Sequence, residues 1–470
     1  MPESLRRPPS YGRRTRDSCQ APARFSARPC HRHDKYSDDI AGEERQTSSG
    51  LTVSEGVPVH SYLRDLGLLR DRKFTLLLSA RTISVLGSAF APVALAFGVL
   101  GLPGADATTL SVVLTAESLP MIVFMLVGGV IADRFPRHRV MMAGELLMAL
   151  GYAALAAMLL SGWSPLPALS IAAAVCGVAT AITFPALTGI IPEVVPLERL
   201  QAGNALLGLG ANASRVAGLV LSGVTAQLVG GGWALVVSSA MFALAAVLIA
   251  MLRLTPVERA ADGVNSMFAD LRDGWREFSS RQWIWVVVAQ FSVLVMAIQA
   301  GHGVLGPLLA KETLGGPLAW SAFLSGEAVG TIVGVLVSLR LRPRRPILVA
   351  TLLCLPTALP YVLLGVDAPL WATVAGAFVL GVCFDVFGVL WQTTMQREVP
   401  PESLSRVSSY DMLGSLMFGP IGLMLAGPAA QAFGTEGALL GCAVLVALST
   451  LAALASPGVR GLRAPEPVSS

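Results

Sequence analysis

Residues 108–139 read TTLSVVLTAESLPMIVFMLVGGVIADRFPRHR. The stretch opens on polar residues, stays largely apolar as far as Ala132, and ends on Asp133 with Arg134, Arg137 and Arg139 close behind. An apolar run of roughly 18 residues or more crosses the ~30 Å hydrocarbon layer of a bilayer as a helix. Glu117 is the charge inside this run, and the arginines hold the following turn at one membrane face. The residues spell a spanning helix closed by a basic turn.

The rest of the chain repeats that pattern. Of its 470 residues, 54% are hydrophobic and 14% charged, whereas soluble domains carry about 25% charged residues. A soluble fold of this size cannot cover itself with so few charges. The net charge is +4 and the basic residues are dispersed among short turns, which excludes nucleic acid as a partner. Cys176, Cys354, Cys383 and Cys442 lie inside apolar runs, so neither a disulfide framework nor a zinc site is expected. His31 and His33 stand near Cys19 and Cys30, but their spacing is irregular. No metal and no cofactor is expected.

Hydropathy divides residues 74–455 into twelve spans, at about 74–99, 108–132, 140–161, 166–191, 203–229, 233–253, 284–309, 318–340, 346–365, 369–395, 405–431 and 436–455. The fold expected is an all-α integral membrane protein with twelve transmembrane helices in two six-helix pseudo-repeat halves, 74–253 and 284–455. Residues 1–60 hold ten Lys or Arg against eight Asp or Glu with little apolar content, the composition of a disordered cytoplasmic tail. Residues 61–73 suit a short cytoplasmic lead-in helix, and 456–470 a second cytoplasmic tail. In the central cytoplasmic loop, 254–283, Met267, Phe268, Leu271, Trp275 and Phe278 recur at helical spacing among charges. That pattern suits an amphipathic helix on the inner membrane surface.

Orientation follows from charge. Fifteen Lys or Arg fall in or beside the connections after the even-numbered spans, against Lys311 alone after the odd-numbered ones. The positive-inside rule then puts both termini in the cytoplasm of a multi-pass plasma-membrane protein. Trp163, Trp233, Trp320 and Trp371 fall at expected outer helix ends, and Trp275, Trp283, Trp285 and Trp391 at inner ends, as two interfacial belts.

The turn after the second span, Gly129-Val-Ile-Ala-Asp133-Arg134-Phe-Pro136-Arg137-His138-Arg139, has an echo in Gly334-Val-Leu-Val-Ser338-Leu-Arg340-Leu-Arg342-Pro343-Arg344-Arg345. Placing Gly334 over Gly129 sets Ser338 over Asp133, Arg342 over Arg137 and Arg344 over Arg139, a constant offset of 205 residues. Such an offset suits parallel repeats.

This turn resembles the helix 2–3 loop motif of the major facilitator superfamily, Gly-x-x-x-Asp-Arg-x-Gly-Arg-Arg/Lys, with Pro136 in place of its second glycine. Phe184-Pro185-Ala-Leu-Thr-Gly-Ile-Ile-Pro192-Glu193-Val-Val-Pro196, then Asn204-Ala-Leu, is similar to the branch containing bacterial macrolide-efflux proteins and the enterobactin exporter. So is Asp270-Leu-Arg-Asp-Gly-Trp-Arg-Glu-Phe278. The fifth span lacks the Gly-Pro pair of the drug-antiporter motif. The resemblance, over about 70–455, implies a conformational latch made by Gly129, Asp133, Arg134, Arg137 and Arg139, with Glu145 and Asp411 as acidic partners. It also implies export.

Charges at membrane depth cost ~2.5–3.5 kcal/mol each on insertion scales, so each is a functional candidate. Glu117 and Asp385 are the candidate proton carriers, with Arg81 or Arg215 tuning Glu117; a static ion pair fixing helix register is the competing reading. Asn212, Gln290, Gln299, His302 and Glu327 are candidates for the substrate cavity. Gly303-x-x-Gly306-Pro307 is expected to bend the seventh span. The function expected is secondary active transport by alternating access, with protons driving export of a drug, macrolide-like antibiotic, siderophore or other secondary metabolite through a monomer in the bilayer. A non-transporting sensor or assembly factor is the alternative. A membrane-embedded enzyme is poorly supplied, since three of five histidines precede residue 61. No P-loop is present for an ATP-driven pump.

Overall fold

The computed structural model describes residues 66–196, 199–252 and 267–463. The tail 1–60, residues 61–65 of the lead-in segment, residues 197–198 and 253–266 and the last seven residues lie outside this set.

After a 3-10 turn, Leu66–Arg70, six long helices follow: α1 Arg72–Leu100, α2 Ala107–Arg134, α3 Arg137–Ser161, α4 Leu166–Val194, α5 Leu200–Val229 and α6 Gly231–Ala250. The amphipathic helix α7, Met267–Ser280, leads into α8, Gln282–Ala300. Then come α9 Pro317–Ser338, α10 Pro346–Leu353, α11 Leu359–Gly365, α12 Leu370–Glu398, α13 Pro401–Leu416, α14 Gly419–Ala455 and α15 Pro457–Gly461. Asp71 caps α1 by accepting the Lys73 amide at 2.8 Å, and Asp106 closes a capping box with Thr109 on α2.

Among the described residues eleven segments are long and apolar enough to span, and the last of them, 406–455, runs 50 residues. A straight helix of that length measures ~75 Å, more than twice the hydrocarbon thickness. It is broken at Gly434, whose φ of +76° and ψ of 162° are not helical. Glycine takes that conformation without a Cβ penalty, and the break separates the eleventh expected span from the twelfth.

Two spans are less regular than their hydropathy. Beyond Ala300, α8 is prolonged through π turns at Gly301–Leu305 and Ala310–Leu314 that flank Gly306–Leu309, where the expected bend falls. The ninth span is interrupted by a 3-10 turn, Pro356–Ala358, between α10 and α11, since Pro356 cannot donate to the helical ladder.

Packing repeats along the chain. Helix α2 lies on α4 as α9 lies on α12, and α1 lies on α5 and α6. A Cβ on Gly177 of α4 would overlap the Glu117 carbonyl oxygen, and one on Gly381 of α12 would overlap that of Glu327. Small residues admit such backbone approach between membrane helices. Between the first six helices and the last six, α5 packs on α9 and α2 on α14.

The tryptophans correct the two-belt expectation. Trp163, Trp233, Trp275, Trp285 and Trp371 are exposed, but Trp283, Trp320 and Trp391 are buried. Trp283 meets Trp391 edge-on at 5.5 Å and Trp320 stacks on Phe323 at 4.6 Å, so these three pack inside the bundle. Helix α7 docks on α13, with Trp275 5.5 Å and Phe278 5.9 Å from the ring of Tyr410.

Candidate transport pathway

Glu117 sits near the middle of α2 and is half-buried. Tyr152 of α3 donates its hydroxyl to Glu117 Oε1 at 3.1 Å. Among the described residues no ion pair joins Glu117 to Arg81 or Arg215, so its neighbour is a phenol rather than the guanidinium expected. Arg81 instead interacts electrostatically with Glu145, which is buried and accepts the Ser84 hydroxyl at 2.8 Å. Glu145 is therefore set inside the first six helices, where Arg81 and Ser84 face it.

In the second set of helices, Glu327 of α9 lies 3.5 Å from His302 Nδ1, and His302 Nε2 lies 3.2 Å from the Tyr361 hydroxyl. Arg215 is exposed on α5 and acts electrostatically on His302 from the other set. Two expected cavity residues, His302 and Glu327, thus meet, and the expected proton-tuning residue Arg215 stands on the helix that packs on α9. Glu117 and Glu327 are 210 residues apart, and Tyr152 and Tyr361 are 209 apart. The tyrosines were missed from sequence, although these nearly equal spacings could have exposed them.

Other candidates scatter. Asn212 is exposed on α5, and Gln299 is half-buried beside Gly419. Gln290 is 4% exposed, with its amide 3.3 Å from Thr450 Oγ1. It ties α8 to α14 from a buried position, and among the described residues its Oε1 has no hydrogen-bond partner. Asp385 is half-buried against Gly334 between α12 and α9, and its buried Oδ2 has no hydrogen-bond partner.

Arg137 Nη1 reaches Glu193 Oε1 at 3.6 Å at the end of α4. Asp411 accepts the Trp391 indole at 3.0 Å and the Ser415 hydroxyl at 3.3 Å. Arg134 and Arg139 are exposed. Gly129 and Asp133 lie in the last turns of α2, and their side-chain surroundings lie outside the described residues.

At the opposite end of the bundle, hydrogen bonds join the two sets of helices. Gly427 N donates to Ser111 Oγ at 2.9 Å. Gln431 Nε2 donates to Asp106 Oδ2 at 3.0 Å and Thr108 Oγ1 at 2.9 Å, and Lys311 Nζ to the Leu100 carbonyl. The Thr109 amide, with the Thr109 hydroxyl and Gln431, holds the Asp106 carboxyl below its ordinary range. These contacts escaped the sequence reading because each joins residues more than 200 positions apart.

Two sets of spanning helices thus meet at one end, with Glu117 and Glu327 near the middles of their helices. Residues 74–420 match the model of the Major Facilitator Superfamily, and the chain belongs to that family of secondary transporters. It is 24% identical to the multidrug efflux pump Tap of Mycolicibacterium fortuitum over 370 residues, 75% of this chain and 88% of that protein. It is also 24% identical to macrolide efflux protein A of Streptococcus pyogenes over 399 residues, 80% and 95% of the two chains. The fold matches the crystal structure of the nucleoside transporter NupG with a TM-score of 0.67, 15% identity and coverage of 81% and 98%.

Proposed function

We propose that the protein exports a small amphipathic organic molecule from the cell in exchange for protons. The cargo class covers macrolide-like antibiotics, siderophores and similar secondary metabolites. The observation that carries the reading is the half-buried carboxylate of Glu117 at mid-span, paired with the neutral hydroxyl of Tyr152. An acid at that depth with a hydroxyl as its hydrogen-bond partner is a functional candidate, and a group that alternately binds and releases a proton suits coupling. The efflux proteins among its relatives support the direction, and the basic turns support termini in the cytoplasm of the plasma membrane. Asp385, with its unpartnered oxygen, is the second carboxylate in this reading.

The turn at Asp133 serves as the latch in this account, with Arg137 and Glu193 as its visible ion pair. The test is transport of a labelled macrolide into inverted membrane vesicles under an acid-inside gradient. Gradient-driven uptake that Glu117→Gln abolishes is expected. Uptake equally driven in that variant removes Glu117 from the coupling step.

A further inference from the structure

Glu327 shares its proton environment with a histidine held on all sides. Both ring nitrogens of His302 are engaged, by Glu327 at 3.5 Å and by Tyr361 at 3.2 Å. Trp320 and Phe323, each 1% exposed, meet the imidazole edge-on at 6.1 and 5.5 Å. The ring therefore has one orientation, with Nδ1–H towards the ionised carboxylate and Nε2 accepting from the Tyr361 hydroxyl, and a proton added at Nε2 or on the carboxylate leaves the pair neutral.

The countercharge comes from the other set of helices. Antiparallel α5 and α9 cross where a Cβ on Gly223 would overlap the Ser321 hydroxyl. Arg215 precedes Gly223 by eight residues and Glu327 follows Ser321 by six. At ~1.5 Å per residue, both stand about 9–12 Å from the crossing, on the same side of it. Arg215 acts on His302 from there. The first set of helices has the acid and tyrosine, Glu117 and Tyr152, but Pro92 stands where the 210-residue offset would place a second His302.

We propose that Glu327 and His302 form a proton-binding site whose charge state is read by Arg215 across the interface between the two sets of helices. Deprotonated, the pair carries one negative charge, attracts Arg215 and holds α5 on α9. Protonated, it is neutral overall and releases Arg215. The other titratable groups facing it are Tyr361 on α11 and, behind that ring, Cys442 on α14; α12 presents Gly381. The inference rests on the proton-driven reading and adds a second site to it.

The full chain, with Cys19→Ser and Cys30→Ser, is spin-labelled at Ser161→Cys and Glu436→Cys, exposed positions on opposite sets of helices, and reconstituted in lipid nanodiscs. Electron–electron distances are then recorded from pH 8 to pH 5. The ratio of long to short distances is expected to rise about tenfold on acidification, within the usual range of site coupling. Glu327→Gln and, at its exposed position, Arg215→Gln are each expected to lose that response, while His302→Gln moves its midpoint. A parent protein that responds alongside Glu327→Gln or Arg215→Gln variants that respond equally overturns this site and leaves the export reading standing. A parent protein with no pH response overturns the proton-driven reading and this site together. Should Glu327→Gln fail to fold, the Arg215→Gln comparison decides alone.

Discussion

Tyr152 Oη and Glu117 Oε1 are joined by a 3.1 Å hydrogen bond that ties α3 to α2 at mid-membrane. Beneath that bond Gly177 lets α4 pass against the Glu117 backbone. The acid is thus held by one hydroxyl and one close helix crossing, and its position depends on both. Tyr152→Phe removes the donor while keeping the ring that stacks on Phe242 at 5.6 Å. Loss of a hydrogen bond to a charged group costs about 1.5–3 kcal/mol, so gradient-driven flux is expected to fall at least about tenfold with expression unchanged. Vesicle uptake measured beside a quantitative blot checks this.

Gly177→Ala is expected to destabilise the protein by about 1–3 kcal/mol, because the new methyl overlaps a backbone oxygen that cannot swing away. Gly381→Ala meets the same obstacle at the Glu327 carbonyl. Gly388→Ala, at a position with open space around its Cβ direction, is the control and should be near neutral. Thermal unfolding in detergent separates the three.

The bridge between Asp106 and Gln431 gives a pH dependence with a definite sign. The Asp106 carboxyl is held below its ordinary range by hydrogen bonds that need the ionised form. A depressed folded value means that its stabilisation is fully present above ~3.9, the ordinary value, and is lost as pH falls through the lower folded value. Melting temperature is expected to stay flat in this respect above about pH 4 and to drop below it. Asp106→Asn should remove that component of the acid-side drop, which melting curves in detergent from pH 2 to 6 would record.

At the basic turn, Glu193→Gln removes the carboxylate that faces Arg137 at 3.6 Å. A latch acts on the equilibrium between two conformations and not on the site itself. The variant, like Asp133→Asn, is therefore expected to slow turnover several-fold more than it weakens substrate binding. Separate measurements of maximal flux and half-saturating concentration decide it, and a change in the latter alone would contradict the latch.

The sequence made the spans legible because bilayer crossing demands long apolar runs whatever their neighbours. Even the return at Gly434 fell between the eleventh and twelfth expected runs. Side-chain partnerships were less legible, because helix numbering says little about which faces meet. Glu145 and Asp411 read as acidic partners of the basic turn, yet Ser84 and Trp391 hydrogen-bond them inside the bundle. Gln290 read as a cavity residue because it is polar at depth, and it is buried with its amide nitrogen on Thr450. Trp320 read as an interfacial anchor from its place near a helix start, and it became part of the wall around His302. In each case the deciding atom comes from a helix distant in sequence.

Alternating access is tested most directly by reagent accessibility at one mid-depth residue. Asn212, exposed on α5, is suited to this as Asn212→Cys in a chain lacking Cys19 and Cys30. A membrane-impermeant maleimide is applied to right-side-out and to inverted vesicles in turn. The expected result is labelling from both faces, each suppressed when the protein is held in the opposite conformation. Labelling confined to a single face under all conditions, or to neither, would contradict a pathway that opens to both sides.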